Sequence, residues 1–212
     1  MQYKYITVEG NIGAGKTSLA KRLAQAYNSK LVLEQFADNP FISKFYEEPE
    51  KFAFPFELFF VAERFKQLSD MTAQADFFYN GVITDYLFVK SLLFSKVNLS
   101  EDEYNLYLRI FDIIYKSLPV PDLIIYLHSS IPRLQKNIQQ RGRTYEQKIP
   151  DEYLENIQQQ YFNYFRQKKD LRILILDVSN ADFLSNEIHY QEILDQLEME
   201  IPFGLKYVTI GG

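Results

Sequence analysis

This sequence predicts an α/β fold: a doubly wound, five-stranded parallel sheet flanked by helices. Three observations carry that expectation. Five short runs are almost continuously apolar, segments of helical period separate them, and a glycine-rich loop opens directly behind the first run. Runs rich throughout in Val, Ile and Leu fit strands buried on both faces, the condition of a parallel sheet covered by helices. Ligands of such folds bind beyond the carboxyl ends of the strands, so residues at those ends are the candidates for chemistry.

The first run is "KYITVE", and "GNIGAGKT" at residues 10–17 follows at once. The next segment, "KTSLAKRLAQAY", has helical period. The second run, "KLVLE", ends on Glu34; "DNPF" then offers Asn39 as a helix cap and Pro40 at the first helical position. The third run, "GVITD", ends on Asp85. In "SEDEYNLYLRIFDIIYKSL", Ser100 and Glu103 make a capping box, with Leu106, Ile110, Ile113 and Ile114 as the expected buried stripe. "DLIIYLH" is the fourth run and "LRILILDV" the fifth; between them Asp151 is the expected cap of a helix holding Tyr153, Leu154, Ile157 and Tyr161. No linker, repeat or composition break interrupts the chain, so residues 1–197 read as one domain and 198–212 as a tail. The tail's "EIPFGLKYVTIGG" fits either a short closing strand or a flexible end.

Composition narrows the chemistry. With 47% hydrophobic residues, 212 residues can bury a full core. Cysteine is absent, which excludes disulfides and thiolate catalysis, and two isolated histidines make a histidine metal site a poor expectation. A net charge of −5 argues against binding nucleic acid without regard to sequence. No apolar stretch reaches bilayer length and no signal-peptide pattern precedes the first run, so no membrane partner and a cytoplasmic address are expected.

The glycine loop is the most specific signal. Gly10, Gly13 and Gly15 let the backbone curl so that successive N–H groups point inward at phosphate oxygens. Lys16 adds a point charge, the Thr17 hydroxyl suits Mg²⁺, and the helix that follows aims its dipole at the same place. The expected phosphate-binding set is therefore Gly10, Asn11, Ile12, Gly13, Ala14, Gly15, Lys16, Thr17 and Ser18, a P-loop NTPase-type site.

Beyond the loop, "LVLEQFADNPF", "FYEEPEKFAFPFELFFVAERFKQL", "RGRTYEQKIPDEYLE" and a late "ADF" occur in order. This ordered set resembles the deoxynucleoside kinase family. The resemblance implies ATP- and Mg²⁺-dependent phosphorylation of a deoxynucleoside 5′-hydroxyl in nucleotide salvage. It places the general base on Glu34, an Arg-rich lid at about residues 140–148 with Arg141 and Arg143 on the transferring phosphate, and Asp182 and Phe183 at ATP. It assigns the metal to Thr17 and Asp85, the sugar 3′-hydroxyl to Glu146 with Tyr46, and the base pocket to Phe56, Glu57 and Arg64. A homodimer through helices near residues 51–75 and 101–118 is also implied.

Two positions depart from the family pattern. Glu57 stands where a glutamine is usual; an ionised carboxylate only accepts hydrogen bonds, which suits the adjacent donors of guanine. A Glu57–Arg64 ion pair is the competing expectation. Tyr86 stands where an arginine should follow Asp85, and Lys90 is the nearest base. The alternatives left open are a thymidylate-type monophosphate kinase and a weakly catalytic nucleotide-binding regulator.

Overall fold

The computed structural model describes residues 2–35, 39–73 and 78–212. In chain order the elements are β1 (Tyr5–Gly10), α1 (Lys16–Tyr27), β2 (Lys30–Val32), α2 (Ile42–Glu47), α3 (Pro49–Ala73), β3 (Val82–Thr84), α4 (Lys90–Asn98), α5 (Glu101–Tyr115), β4 (Leu123–His128), α6 (Ile131–Arg141), α7 (Asp151–Gln167), β5 (Arg172–Asp177), α8 (Glu187–Glu198) and β6 (Gly204–Thr209). The strands form one sheet in the order β2-β3-β1-β4-β5-β6, and every neighbouring pair is parallel. The chain order reverses at β1, which lies between β3 and β4. The glycine loop leaves the sheet at that switch point, where a cleft must open.

Alternation along the strands divides the core in two. Ile6, Val8, Leu123, Ile125 and Leu127 pack toward Leu19 and Leu23 of α1, Leu134 and Ile138 of α6, and Ile193 and Leu197 of α8. Tyr5, Ile124, Tyr126, Ile173 and Ile175 face Val61 and Leu68 of α3, Leu93 of α4, Tyr107 and Phe111 of α5, and Ile157 and Tyr161 of α7. Each fully buried aliphatic side chain contributes about 1.5–3 kcal/mol, so both faces hold the sheet's carboxyl edge rigid. A third cluster, Phe45, Ala53, Phe56 and Phe60, joins α2 to α3 outside the sheet. No helix among the described residues is long and apolar enough to cross a membrane.

The sheet has six strands, not five. β6 pairs along all of β5, from Arg172 with Gly204 to Asp177 with Thr209. Of the two readings of the tail, the strand holds. Arg172 anchors its approach by donating to the Ile201 carbonyl at 3.0 Å and stacking over Phe203 at 3.8 Å.

Three helix expectations also change. Asn39 does not cap a helix at Pro40. Its side-chain oxygen accepts from Phe41 N at 2.9 Å in a tight turn, and α2 starts only at Ile42. Asp151 is the first residue of α7 rather than its cap, and its carboxylate accepts from Gln135 instead. The capping box at Ser100 forms, but α5 buries Tyr107 and Phe111, whereas Leu106 and Ile113 stand 51% and 77% exposed. Of the long helix expected to residue 75, residues 74 and 75 lie outside the described residues, as do residues 36–38 of "LVLEQFADNPF".

Candidate active site

Gly13 and Gly15 have φ of +82° and +91°, where a Cβ is strained, and the loop's surroundings exclude one as well. A Cβ on Gly13 would meet the Leu134 carbonyl at 2.8 Å, and one on Gly15 would meet Phe183 Cζ at 2.9 Å. Phe183 is buried, so its ring is the wall against which the loop turns. Gly13, Ala14, Gly15, Lys16, Thr17 and Ser18 line a cavity of about 610 Å³ that also reaches Asp85, Arg141, Arg143, Asp182 and Phe183. Gly10, Asn11 and Ile12 do not line it. Asn11 turns its amide inward to the Leu154 carbonyl at 2.7 Å, while the Gly10 and Asn11 carbonyls each accept from Lys16 Nζ at 2.9 Å. The expected nine-residue set thus narrows to six at this cavity. Ile12 lines the neighbouring one.

Asp85 ties the loop to the next strand's end. Its Oδ2 accepts from the Thr17 hydroxyl at 2.5 Å and its Oδ1 from the backbone N–H of Glu34 at 2.6 Å. Glu34 lies just beyond β2, and its carboxylate is held at both oxygens. Oε1 accepts from Arg64 Nε at 2.8 Å and Nη2 at 2.5 Å, and Oε2 accepts from Lys90 Nζ at 2.7 Å. Burial alone would raise this carboxyl, but the Lys90 and Arg64 charges outweigh it and hold it far below the usual carboxylate range. Arg64 therefore pairs with Glu34, not with Glu57.

The second cavity is lined by Tyr46, Phe56, Glu57, Phe60, Arg64, Lys90, Phe94 and Glu146, among others. Lys16, Glu34, Arg141 and Arg143 line both cavities. All five residues expected at the nucleoside are thus brought together. Glu57 is buried and accepts from the Asn98 amide at 2.6 Å, while Tyr107 donates to its backbone carbonyl at 3.4 Å. Burial raises its carboxyl to about 7 against the opposing influence of Arg64 and Asn98. Phe56 stacks on Phe45 at 4.2 Å and meets Phe60 edge-on at 5.0 Å, which fixes the aromatic wall on the α2–α3 side.

The segment expected to be a lid follows α6, which stops at Gly142 in the left-handed region (φ 72°). A short 3₁₀ turn over Thr144–Glu146 then sets Glu146 inward, where it accepts from Arg141 and, at 3.1 Å, from Arg143. Tyr46 stacks on Tyr145 at 5.7 Å; burial and then the Glu146 charge push its phenol upward. Asp182 lies in an exposed turn, its Oδ1 accepting from Leu184 and Ser185 backbone N–H groups at 3.2 and 3.0 Å.

A family model described as deoxynucleoside kinase matches residues 6–202. The chain belongs to the deoxynucleoside kinase family. Deoxyguanosine kinase of Bacillus subtilis (strain 168) is 35% identical over 195 residues, which cover 89% of this chain and 93% of that protein. Deoxyadenosine/deoxycytidine kinase of the same organism is 30% identical over 200 residues, covering 91% and 90%. In fold, deoxyadenosine kinase from M. mycoides with bound dATP superposes with a TM-score of 0.80 at 23% identity, covering 92% of this chain and all of that one.

Sequence reasoning missed several residues of this deoxynucleoside kinase's cleft. Asn98 reaches Glu57 from the end of α4, whereas Lys90, already noted as the nearest base after Asp85, reaches Glu34 from that helix's start. Phe60, Phe94 and Tyr145 complete the walls. Phe60 was within reach of the helical pattern of α3, one turn from Phe56. Asn98 carried no local signal.

Proposed function

We propose that this deoxynucleoside kinase transfers the terminal phosphoryl group of ATP to the 5′-hydroxyl of a purine deoxynucleoside, with deoxyguanosine favoured, in cytoplasmic nucleotide salvage. The observation that carries the reading is the position of Glu34. Its carboxylate lies in the wall shared by the phosphate cavity and the aromatic cavity, with Lys16 lining both. A hydroxyl entering from the aromatic side meets an ionised acceptor for its proton at the point where it faces the phosphates. The lid arginines suit the transferring charge because the guanidinium fork matches phosphate oxygens in pairs. Glu146, with Tyr46 nearby, suits the sugar 3′-hydroxyl. Thr17 and Asp85 present an oxygen pair of the type Mg²⁺ takes and would hold it there; bound, it would offset phosphate charge.

Guanine is favoured by the base end. Glu57 is free of Arg64, so its ionised carboxylate offers acceptors to a ring N–H and an exocyclic amine side by side. The similarity to a deoxyguanosine kinase supports the same choice. A monophosphate acceptor would need a further cation at this end, yet Arg64 is bound to Glu34. Exposed Leu106 and Ile113 on α5 support association of two copies through α3 and α5.

Incubation with labelled ATP and panels of deoxynucleosides and monophosphates tests the reading. Label should appear in 5′-monophosphates, fastest from deoxyguanosine. Equal rates on all bases, or a preference for deoxycytidine, would end the guanine assignment; label in diphosphates alone would move the acceptor.

A further inference from the structure

We propose that Lys90 is a catalytic residue of this kinase, sharing Glu34 Oε2 with the sugar 5′-hydroxyl and presenting its remaining N–H donors to the phosphoryl group during transfer. The proposal rests on the reading of Glu34 as proton acceptor and deepens it to the level of atoms.

The lone pairs of Glu34 decide which oxygen acts. A carboxylate oxygen accepts two hydrogen bonds in its plane. Among the described residues, Oε1 takes both Nε and Nη2 of Arg64, so its two directions are filled. Oε2 takes Lys90 Nζ alone, which leaves one direction open. A hydroxyl that gives its proton to Glu34 therefore lands on Oε2, beside the Lys90 ammonium. An ammonium has three donors, and one is used on Glu34. Lys90 lines the aromatic cavity beside Lys16, which also lines the phosphate cavity, so its other two donors are the ones left for a group that reaches from one cavity to the other.

Charge points the same way. Two lysines, Lys16 and Lys90, line one cavity that Glu34 and Arg64 also line, and Lys90 is only 7% exposed. Like charges brought together out of water repel, and the arrangement becomes favourable when an anion lies between them. Lys16 approaches such an anion from the glycine loop and Lys90 from the hydroxyl side. During transfer the hydroxyl oxygen bonds to the terminal phosphorus while the bond from that phosphorus to the bridging oxygen breaks. The hydroxyl proton passes to Glu34 Oε2, and ADP leaves with the electron pair. Charge on the equatorial oxygens thus passes between the two lysines.

The chain after β3 is built to deliver this cation. Tyr86 is fully buried in the core, its hydroxyl has no hydrogen-bond partner among the described residues, and it lines neither cavity. The buried Glu9 carboxylate fixes the intervening turn by accepting from Leu87 N at 2.8 Å. Lys90 then opens α4, with Phe94 one turn on and 5.4 Å from its ammonium.

Steady-state kinetics of Lys90→Met and Lys90→Arg, alongside the unmodified enzyme, test the assignment. Lys90→Met should lose about 10²–10³ in kcat, while KM for ATP and nucleoside stay within about threefold, the mark of an interaction made in the transition state. Lys90→Arg should recover at least about tenfold over Lys90→Met, since the charge is restored in a different shape. A kcat within about threefold in Lys90→Met overturns the proposal, as does a rise in KM with kcat intact. Equal losses in the Arg and Met variants, with nucleoside binding retained, overturn it too. Should Lys90→Met not fold, Lys90→Gln against Lys90→Arg reads the same contrast. If the unmodified enzyme labels no deoxynucleoside, the kinase reading falls and this assignment with it. Wild-type turnover that survives loss of Lys90 sinks only the latter.

Discussion

Two glutamates line one cavity and have opposite acidities. Glu34 is clamped by two cations and stays ionised far into acid, whereas Glu57, whose carboxylate is held by an amide, is raised to about 7. Burial is common to both; what differs is whether a positive group sits within hydrogen-bond distance. The phosphate end thus carries a fixed negative charge. The base end carries a group whose hydrogen-bonding pattern can change near neutrality.

The largest effect that tests this contrast is Glu34→Gln. Nucleotide binding should persist while turnover falls about 10²–10⁴-fold, measured as kcat with saturating ATP. Near-normal turnover would remove Glu34 from the chemistry and leave the two ends alike. Glu57→Gln comes next. An amide restores a donor beside an acceptor, so the kcat/KM ratio of deoxyguanosine to deoxyadenosine should fall about 10–100-fold, the value of one or two hydrogen bonds to a charged group. An unchanged ratio would place base reading elsewhere.

A smaller effect sharpens the same point without mutation. Below about pH 7 Glu57 is a neutral acid that can donate as well as accept; above it, the carboxylate only accepts. The deoxyguanosine preference should therefore rise by several fold from pH 6 to pH 8. Arg64 on the same helix, Lys90 on α4 and Glu34 beyond β2 face this carboxyl, and Arg64 and Lys90 oppose burial in setting the midpoint. A ratio flat across that range would show that Glu57 does not titrate against the base. The smallest effect is expected at Tyr86, which belongs to neither end. Tyr86→Phe should leave kcat unchanged and shift stability by no more than about 0.5 kcal/mol in denaturant unfolding, because its hydroxyl has no partner to lose among the described residues.

Much of the phosphate end was legible in the sequence, because its geometry is made by neighbours in the chain. The helix α1 spans the residues its period suggests, and the glycines lie where the backbone needs positive φ. The base end was legible only as a set of residues. Helical spacing put Arg64 near Glu57, yet the fold delivers Glu34 from thirty positions away and the guanidinium goes there. Asn98 comes to Glu57 from 41 positions along the chain, and no local pattern encodes that meeting. On α5, both faces offer large apolar or aromatic side chains, so the period alone could not choose between Leu106 and Tyr107. β6 lies at the sheet's edge, half-exposed, with Lys206 and Thr209 among its apolar residues. It therefore lacks the continuous hydrophobicity that marked the inner strands.

Asp85 has a reach beyond its own contacts. One carboxylate grips the Thr17 side chain with one oxygen and the Glu34 backbone with the other. The spacing between the start of α1 and the end of the second strand is thereby gauged by the width of a single functional group. Any displacement of Thr17 therefore bears on the Glu34 backbone through two hydrogen bonds to one carboxylate.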